Sequence, residues 1–179
     1  GLALVYAAIG FMPLLIEVRQ REGRASAERL LAASASTAVI AGLVMGALLA
    51  ATAHWSLPIL AAGFDAERLR LSQGLLYILV PSVAVSSLSY LWTAVLNADE
   101  AYAVGAFAPS LQPVGAIVGL FAVPGSDGVT GMAIGMTAGA AAQTLLLGWA
   151  VRRAGWPIAL AAPWSSNRIA EFREHYGTL

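Results

Sequence analysis

The side chains able to do chemistry within the apolar stretches of this chain are neutral. Ser82, Ser86, Ser89, Thr93 and Asn97 recur at spacings of four and three, which puts them on one face of a helix. Such a stripe, with no charge near it, either packs against another helix or lines a wet cavity. Ser82 and Ser86 are expected to pack. Thr93 and Asn97 are expected to line a cavity in part, with Asn97 at its mouth beside Asp99. Gln143 follows Gly131, Gly135 and Gly139 at the same four-residue spacing. An amide there must bond to a neighbouring helix or face a cavity, because an unpaired one is costly in lipid. Charge gathers instead at residues 17–29, EVRQREGRASAER, where four arginines meet three glutamates. That run is either a contact for substrate or anionic lipid, or a solvated loop. His54 and His175 are isolated and there is no cysteine, so neither a metal site nor a disulfide is expected. No Walker loop, GxSxG or HExxH is present, so the residues point to no enzyme and no cofactor.

These side chains sit in elements that composition defines. Asp, Glu, Lys and Arg make up 11% of the chain against about a quarter in soluble domains. Mean hydropathy is +0.74. Residues 71–98 carry no charge, and neither do residues 101–126. Each exceeds the roughly 20 helical residues that cross a bilayer. Only Asp99 and Glu100 lie between the two, so the pair reads as a transmembrane hairpin with a tight polar turn. Pro81 falls in the first span, Pro109 and Pro113 in the second. Each proline removes a donor and frees the carbonyl four residues earlier, here those of Tyr77, Gly105 and Pro109.

The fold expected is an all-α polytopic transmembrane bundle, with spans near residues 2–18, 28–54, 68–97, 101–123 and 128–153. Gly23 is expected to stop one helix and Ser26 to cap the next. Ala38, Gly42, Gly46 and Ala50 form a small-residue ridge, as do Gly131, Gly135 and Gly139. His54 and Trp55 are expected to end the second span at the interface, and Pro58, Gly63 and Asp65 to break the chain after it. Residues 124–128, PGSDG, form a turn. Residues 1–154 are assigned to the bundle. Residues 155–179 read as an interfacial amphipathic segment leading to a further span, with Ser165, Ser166 or Asn167 as cap and Ile169, Phe172 and Tyr176 on one face. All ten basic residues are arginine. Alternating the loops places Arg19, Arg21, Arg24, Arg29, Arg152, Arg153, Arg168 and Arg173 on one side, expected to be cytoplasmic, and only Arg68 and Arg70 on the other. A formal net charge of zero gives no reason to expect a nucleic acid partner. The start on Gly1 within an apolar run suggests a segment of a longer protein, and no basic region precedes it as in a signal peptide.

An ordered set of short motifs adds to this reading. They are FMPLLIEVRQREG with Phe11 and Pro13, AAGF with Gly63 and Phe64, LYILVP ending on Pro81, Leu96-Asn97, and AFAPSL with Phe107 and Pro109. In order and spacing the sequence resembles the MviN/MurJ family of lipid II flippases, within the multidrug/oligosaccharidyl-lipid/polysaccharide exporter superfamily. It differs from the family pattern at Leu4-Val5, Gly105 and Gln112-Pro113. The resemblance implies a partial N-terminal lobe, about five spans of a six-helix lobe in a two-lobe flippase. It implies alternating access for a lipid-linked saccharide in a bacterial cytoplasmic (inner) membrane. The family's substrate arginines fall mostly upstream of Gly1. Membrane lipids and the lipid-linked saccharide are the partners implied, with cell-envelope synthesis proteins a further class. An exopolysaccharide or lipid-linked oligosaccharide exporter, and a non-transporting scaffold for envelope synthesis, are the alternatives.

Overall fold

The computed structural model describes residues 13, 15–123 and 125–158. Among these the chain is helical almost throughout and contains no strand. Residue 13 and residues 15–22 are the described part of α1. They are followed by α2 (Arg24–Leu60), α3 (Ala66–Ala98), the short α4 (Tyr102–Phe107), a 3₁₀ turn (Ala108–Ser110), α5 (Leu111–Ala122) and α6 (Gly128–Arg153). Four segments are long and apolar enough to cross a membrane: α2, α3, Tyr102–Ala122 and α6. Most of the expected span 2–18 lies outside the described residues, as does the amphipathic helix expected after residue 158.

The helices form a row, α2 against α3, α3 against α6 and α6 against α5. Small residues set the spacing, since apolar side chains gain nothing by leaving lipid for a neighbouring helix and close backbone approach must do the work. Gly42 and Gly46 of the α2 ridge are buried against α3. A Cβ on Gly42 would lie 2.6 Å from Ala84 Cα. The contact between α5 and α6 is closer still. Gly115 and Gly119 interleave with Gly131, Gly135 and Gly139, and a methyl on any of the five would overlap the opposing backbone. The α6 ridge thus meets a second GxxxG on α5.

The buried core gathers at the arginine-rich end. Leu15 and Val18 of α1 pack with Leu30 and Leu31, with Leu91, Trp92, Val95 and Leu96, and with Leu147, Val151 and Trp156. Along the rest of the row large side chains such as Leu43, Val44, Leu48, Val118 and Ile134 are exposed, as expected of a surface that meets hydrocarbon rather than water.

Four local expectations need correction. Ser26 does not cap α2, because the helix begins at Arg24, directly after Gly23 in the left-handed region at φ 85°. The turn is made by the glycine backbone, and Ser26 is already in the first turn. The charged run at 17–29 is therefore a helix–glycine–helix corner and not a loop. Pro58 does not break α2, which runs past His54 and Trp55 to Leu60. A proline so close to a helix end sacrifices one bond in a turn that is already fraying. Finally, the second half of the hairpin is not one kinked helix. Pro109 sits in a 3₁₀ turn between α4 and α5, at the start of that turn, where an N–H would have no partner within it and proline's lack of one costs little.

The turn at Asp99 and Glu100 forms as expected, with Glu100 at φ 60°. Gly63, at φ 108°, turns the chain into α3, and Asp65 caps that helix by accepting from the Arg68 N–H at 2.9 Å. The described members of the arginine-rich side share one end of the row, since Arg19 meets Asp99 and Arg24 meets Gly155. If that end is cytoplasmic, a membrane-impermeant thiol reagent applied to intact cells labels Asp127→Cys at once and Gln20→Cys only after permeabilisation. The reverse pattern would show that the bundle lies the other way up.

Candidate functional site

Two polar regions stand out in a molecule that is otherwise apolar. The first is a seam between α3 and α6. Thr137 Oγ1 donates to the Ile78 carbonyl at 2.9 Å, with its own-helix Ala133 carbonyl at 3.0 Å. Thr144 Oγ1 lies 3.2 Å from the Val85 carbonyl and 2.9 Å from that of Ala140. Acceptors and hydroxyls are each spaced by two helical turns, so α3 and α6 run parallel in one fixed register. Ser89 Oγ shares a buried hydrogen bond of 2.6 Å with Thr144 Oγ1. Around Pro81 the hydroxyls serve carbonyls of that turn, but not the one expected. Ser82 Oγ donates to Leu79 at 2.6 Å and Thr137 to Ile78. Ser82 reaches back along its own turn, and the α6 hydroxyl arrives one residue beyond Tyr77.

The seam continues toward α5. Gln143, buried, accepts from Gln112 Nε2 at 2.7 Å. Gln112 stands in the first turn of α5, immediately after the 3₁₀ turn. Thr93 and Asn97 are half-buried beneath α4. A Cβ on Gly105 would lie 3.3 Å from Thr93 Cγ2 and 3.5 Å from Asn97 Oδ1. Thr93 Oγ1 also donates back to the Ser89 carbonyl at 2.9 Å. The structure thus brings Thr93 and Asn97 together under α4 and holds Gln143 apart, on the α5 side of α6. Ser86 is half-buried. Of the motif residues, Phe64 and Phe107 are exposed, Pro81 lies on the open face of α3, and Pro13 is helical and exposed. Phe11 lies outside the described residues. Thr137, Thr144 and Gln112 are the seam residues that sequence reasoning passed over. The two-turn spacing of Thr137 and Thr144 was available to find them.

The second region closes the arginine-rich end. Asp99, in the turn after α3, takes Arg19 Nη1 on Oδ1 at 2.6 Å and the Trp156 indole N–H on Oδ2. Trp156 is 3% exposed. Two guanidiniums lie over its ring, Arg19 at 5.7 Å and Arg24 at 5.8 Å from the centroid, within cation–π range. Arg24 in turn donates to the Gly155 carbonyl and, through Nε, to Glu28 at 3.0 Å. One carboxylate therefore joins the end of α1, the α3–α4 turn and the chain leaving α6. Among the described residues no buried side-chain nitrogen or oxygen lacks a hydrogen-bond partner, and no cluster of acids and histidines could hold a metal.

What this arrangement provides is a bundle of helices long and apolar enough to cross a membrane, joined through neutral hydrogen bonds, with its charge confined to the ends. That is the build of a polytopic membrane protein. The chain belongs to the lipid II flippase MurJ family, whose sequence model matches residues 8–178. No individually curated protein matches the chain.

Proposed function

We propose that this chain is the greater part of one lobe of a flippase that moves a polyprenyl-linked cell-wall precursor of the lipid II type across a bacterial cytoplasmic membrane. The observation that carries the reading is the family match, which extends over nearly the whole chain. The fold supports it, because four membrane-crossing segments with no charge in their middles suit a wall around a transport path and offer nothing for bond-making chemistry. The test is translocation of a fluorescent lipid II analogue by the full-length protein in liposomes. Failure of the wild type to move it, alongside movement of a lipid-linked exopolysaccharide precursor, would transfer the reading to the exporter class.

Within that reading Thr93 and Asn97 contribute to the path. Both are half-buried, and Gly105 of α4 lies against both. Gln143 contributes through its bond to Gln112, at the junction where the 3₁₀ turn interrupts the span. Leucine at Thr93 and Asn97 together is expected to lower transport several-fold while leaving the melting temperature within a few degrees of wild type. Unchanged transport would remove both residues from the path.

A further inference from the structure

At the end of the row away from Asp99, α3 presents a face that neither the seam nor the core uses. Arg70, Gly74, Tyr77 and Pro81 follow one another at spacings of four, three and four, and all are exposed, so they form one stripe. Arg68 beside them is paired with Asp65 at 3.7 Å. Arg70 makes no ion pair or hydrogen bond among the described residues. Gly74 has nothing within 4 Å of the position its Cβ would take, which leaves a notch between Arg70 and Tyr77. One wall of the notch is a polar pair, since Gln73 Nε2 donates to Tyr77 Oη at 2.9 Å. With the amide so directed, the Tyr77 hydroxyl proton and the Gln73 carbonyl oxygen both remain free for an outside partner.

Tyr77 lies seven residues inward of Arg70, about 10 Å along the helix. An open donor and an open acceptor at that depth are costly against hydrocarbon. The three groups suit a ligand that carries phosphate, hydroxyls and a ring. The guanidinium fork matches phosphate oxygens, the phenol and amide match sugar hydroxyls, and the ring offers an apolar face. We propose that this notch on α3 is a contact for the headgroup of a phosphate-bearing saccharide lipid, at the end of the bundle opposite the arginine-rich one. The proposal rests on the transport reading above and assigns one station of the headgroup to Arg70, Gln73 and Tyr77.

The experiment uses the full-length protein in phosphatidylcholine nanodiscs, with a radiolabelled short-chain prenyl diphosphate disaccharide as probe. Arg70→Gln is expected to raise its Kd about tenfold, the loss of one charge-assisted hydrogen bond. Gln73→Leu and Tyr77→Phe are each expected to raise it about threefold, the low end for a neutral hydrogen bond. Arg68→Gln, whose arginine is already paired, should leave it near the wild-type value. Wild-type affinity in the Arg70, Gln73 and Tyr77 variants would overturn the proposal while leaving the transport reading in place. An equal loss in Arg68→Gln would also overturn it, as a general effect of surface charge. In a second arm phosphatidylglycerol vesicles replace the probe. If the variants lose only phosphatidylglycerol binding, the notch holds an ordinary lipid headgroup and the saccharide assignment falls. Failure of the wild type both to bind the probe and to translocate a lipid II analogue would count against the transport reading itself.

Discussion

Gly135→Leu is expected to separate α5 from α6 and to cost the protein most of its stability in detergent. The added Cβ would overlap the carbonyl of Gly115 and lie 3.0 Å from Gly119 Cα, backbone that no rotamer change can move aside. Overpacking a core usually costs about 1–3 kcal/mol because side chains shift to make room. Here the obstacle is main chain, so the cost should stand at the top of that range or above it. The damage spreads because α5 packs on α6 and has no buried residue of its own. Moving it also strains the Gln112–Gln143 bond one end of the seam depends on. The measurement is thermal unfolding in a mild detergent, with Gly74→Ala as comparison. Gly74 has open space around it, so alanine there should be neutral or stabilise by about 0.5–1 kcal/mol through helix propensity. Equal melting temperatures for Gly135→Leu and wild type would mean that the α5–α6 contact is looser than the glycine interleaving requires.

This contrast also shows what the sequence makes legible. The spans follow from length and the absence of charge, and in the described part the structure places helices close to the expected boundaries except at the end of α2, which runs to Leu60 rather than to residue 54. The glycine ridge of α6 was visible as a four-residue repeat, whereas its partner was not, because Gly115 and Gly119 lie among larger apolar residues and only the hairpin geometry brings them opposite Gly131 and Gly135. The same limit hid the hydroxyl seam. Ser89 could be assigned to a face, but its acceptor or donor is Thr144, 55 residues away. Helical periodicity gives the face of a residue and not the element that meets it. Helix ends were less legible for a different reason. Gly23 was read correctly as the stop of α1, but the restart of α2 directly after it, at Arg24 and not at Ser26, comes from the glycine's backbone conformation, which leaves no signal in the neighbouring side chains, and Pro58 is tolerated because it falls in the last turn. The charged corner could be read only as a run. That Arg19 and Arg24 enclose Trp156, a residue expected to belong to the surface segment, depends on where α6 ends in space.

That enclosure makes Trp156→Ala the second large effect expected. Removing a fully buried tryptophan typically costs about 3–5 kcal/mol, from lost burial and the cavity left behind. At this site it also leaves the Asp99 Oδ2 without its indole donor and the two guanidiniums without the ring they both lie over. Asp99→Asn separates these contributions. The amide keeps the size of the carboxylate but removes its charge, so it weakens the hold on Arg19 and can still accept one bond. The Asp99 side chain is 17% exposed and Arg19 48%, which limits what the ion pair alone supplies through solvent screening. Asp99→Asn should therefore cost about 1–2 kcal/mol, short of Trp156→Ala, because the single amide oxygen keeps one of the two bonds while the other is lost to an amide N–H that faces a donor. The double variant decides whether the three chain segments act as one unit. Residues sharing one hydrogen-bond network show coupling of about 0.5–3 kcal/mol in a double-mutant cycle. The Asp99→Asn and Trp156→Ala losses should consequently fall short of additive when combined, because the tryptophan change has already emptied the site that Asp99 serves. Strict additivity in melting experiments on the full-length protein would show that Trp156 is held by its apolar contacts with the core alone, and that the Asp99 bond adds nothing to fixing the chain as it leaves α6.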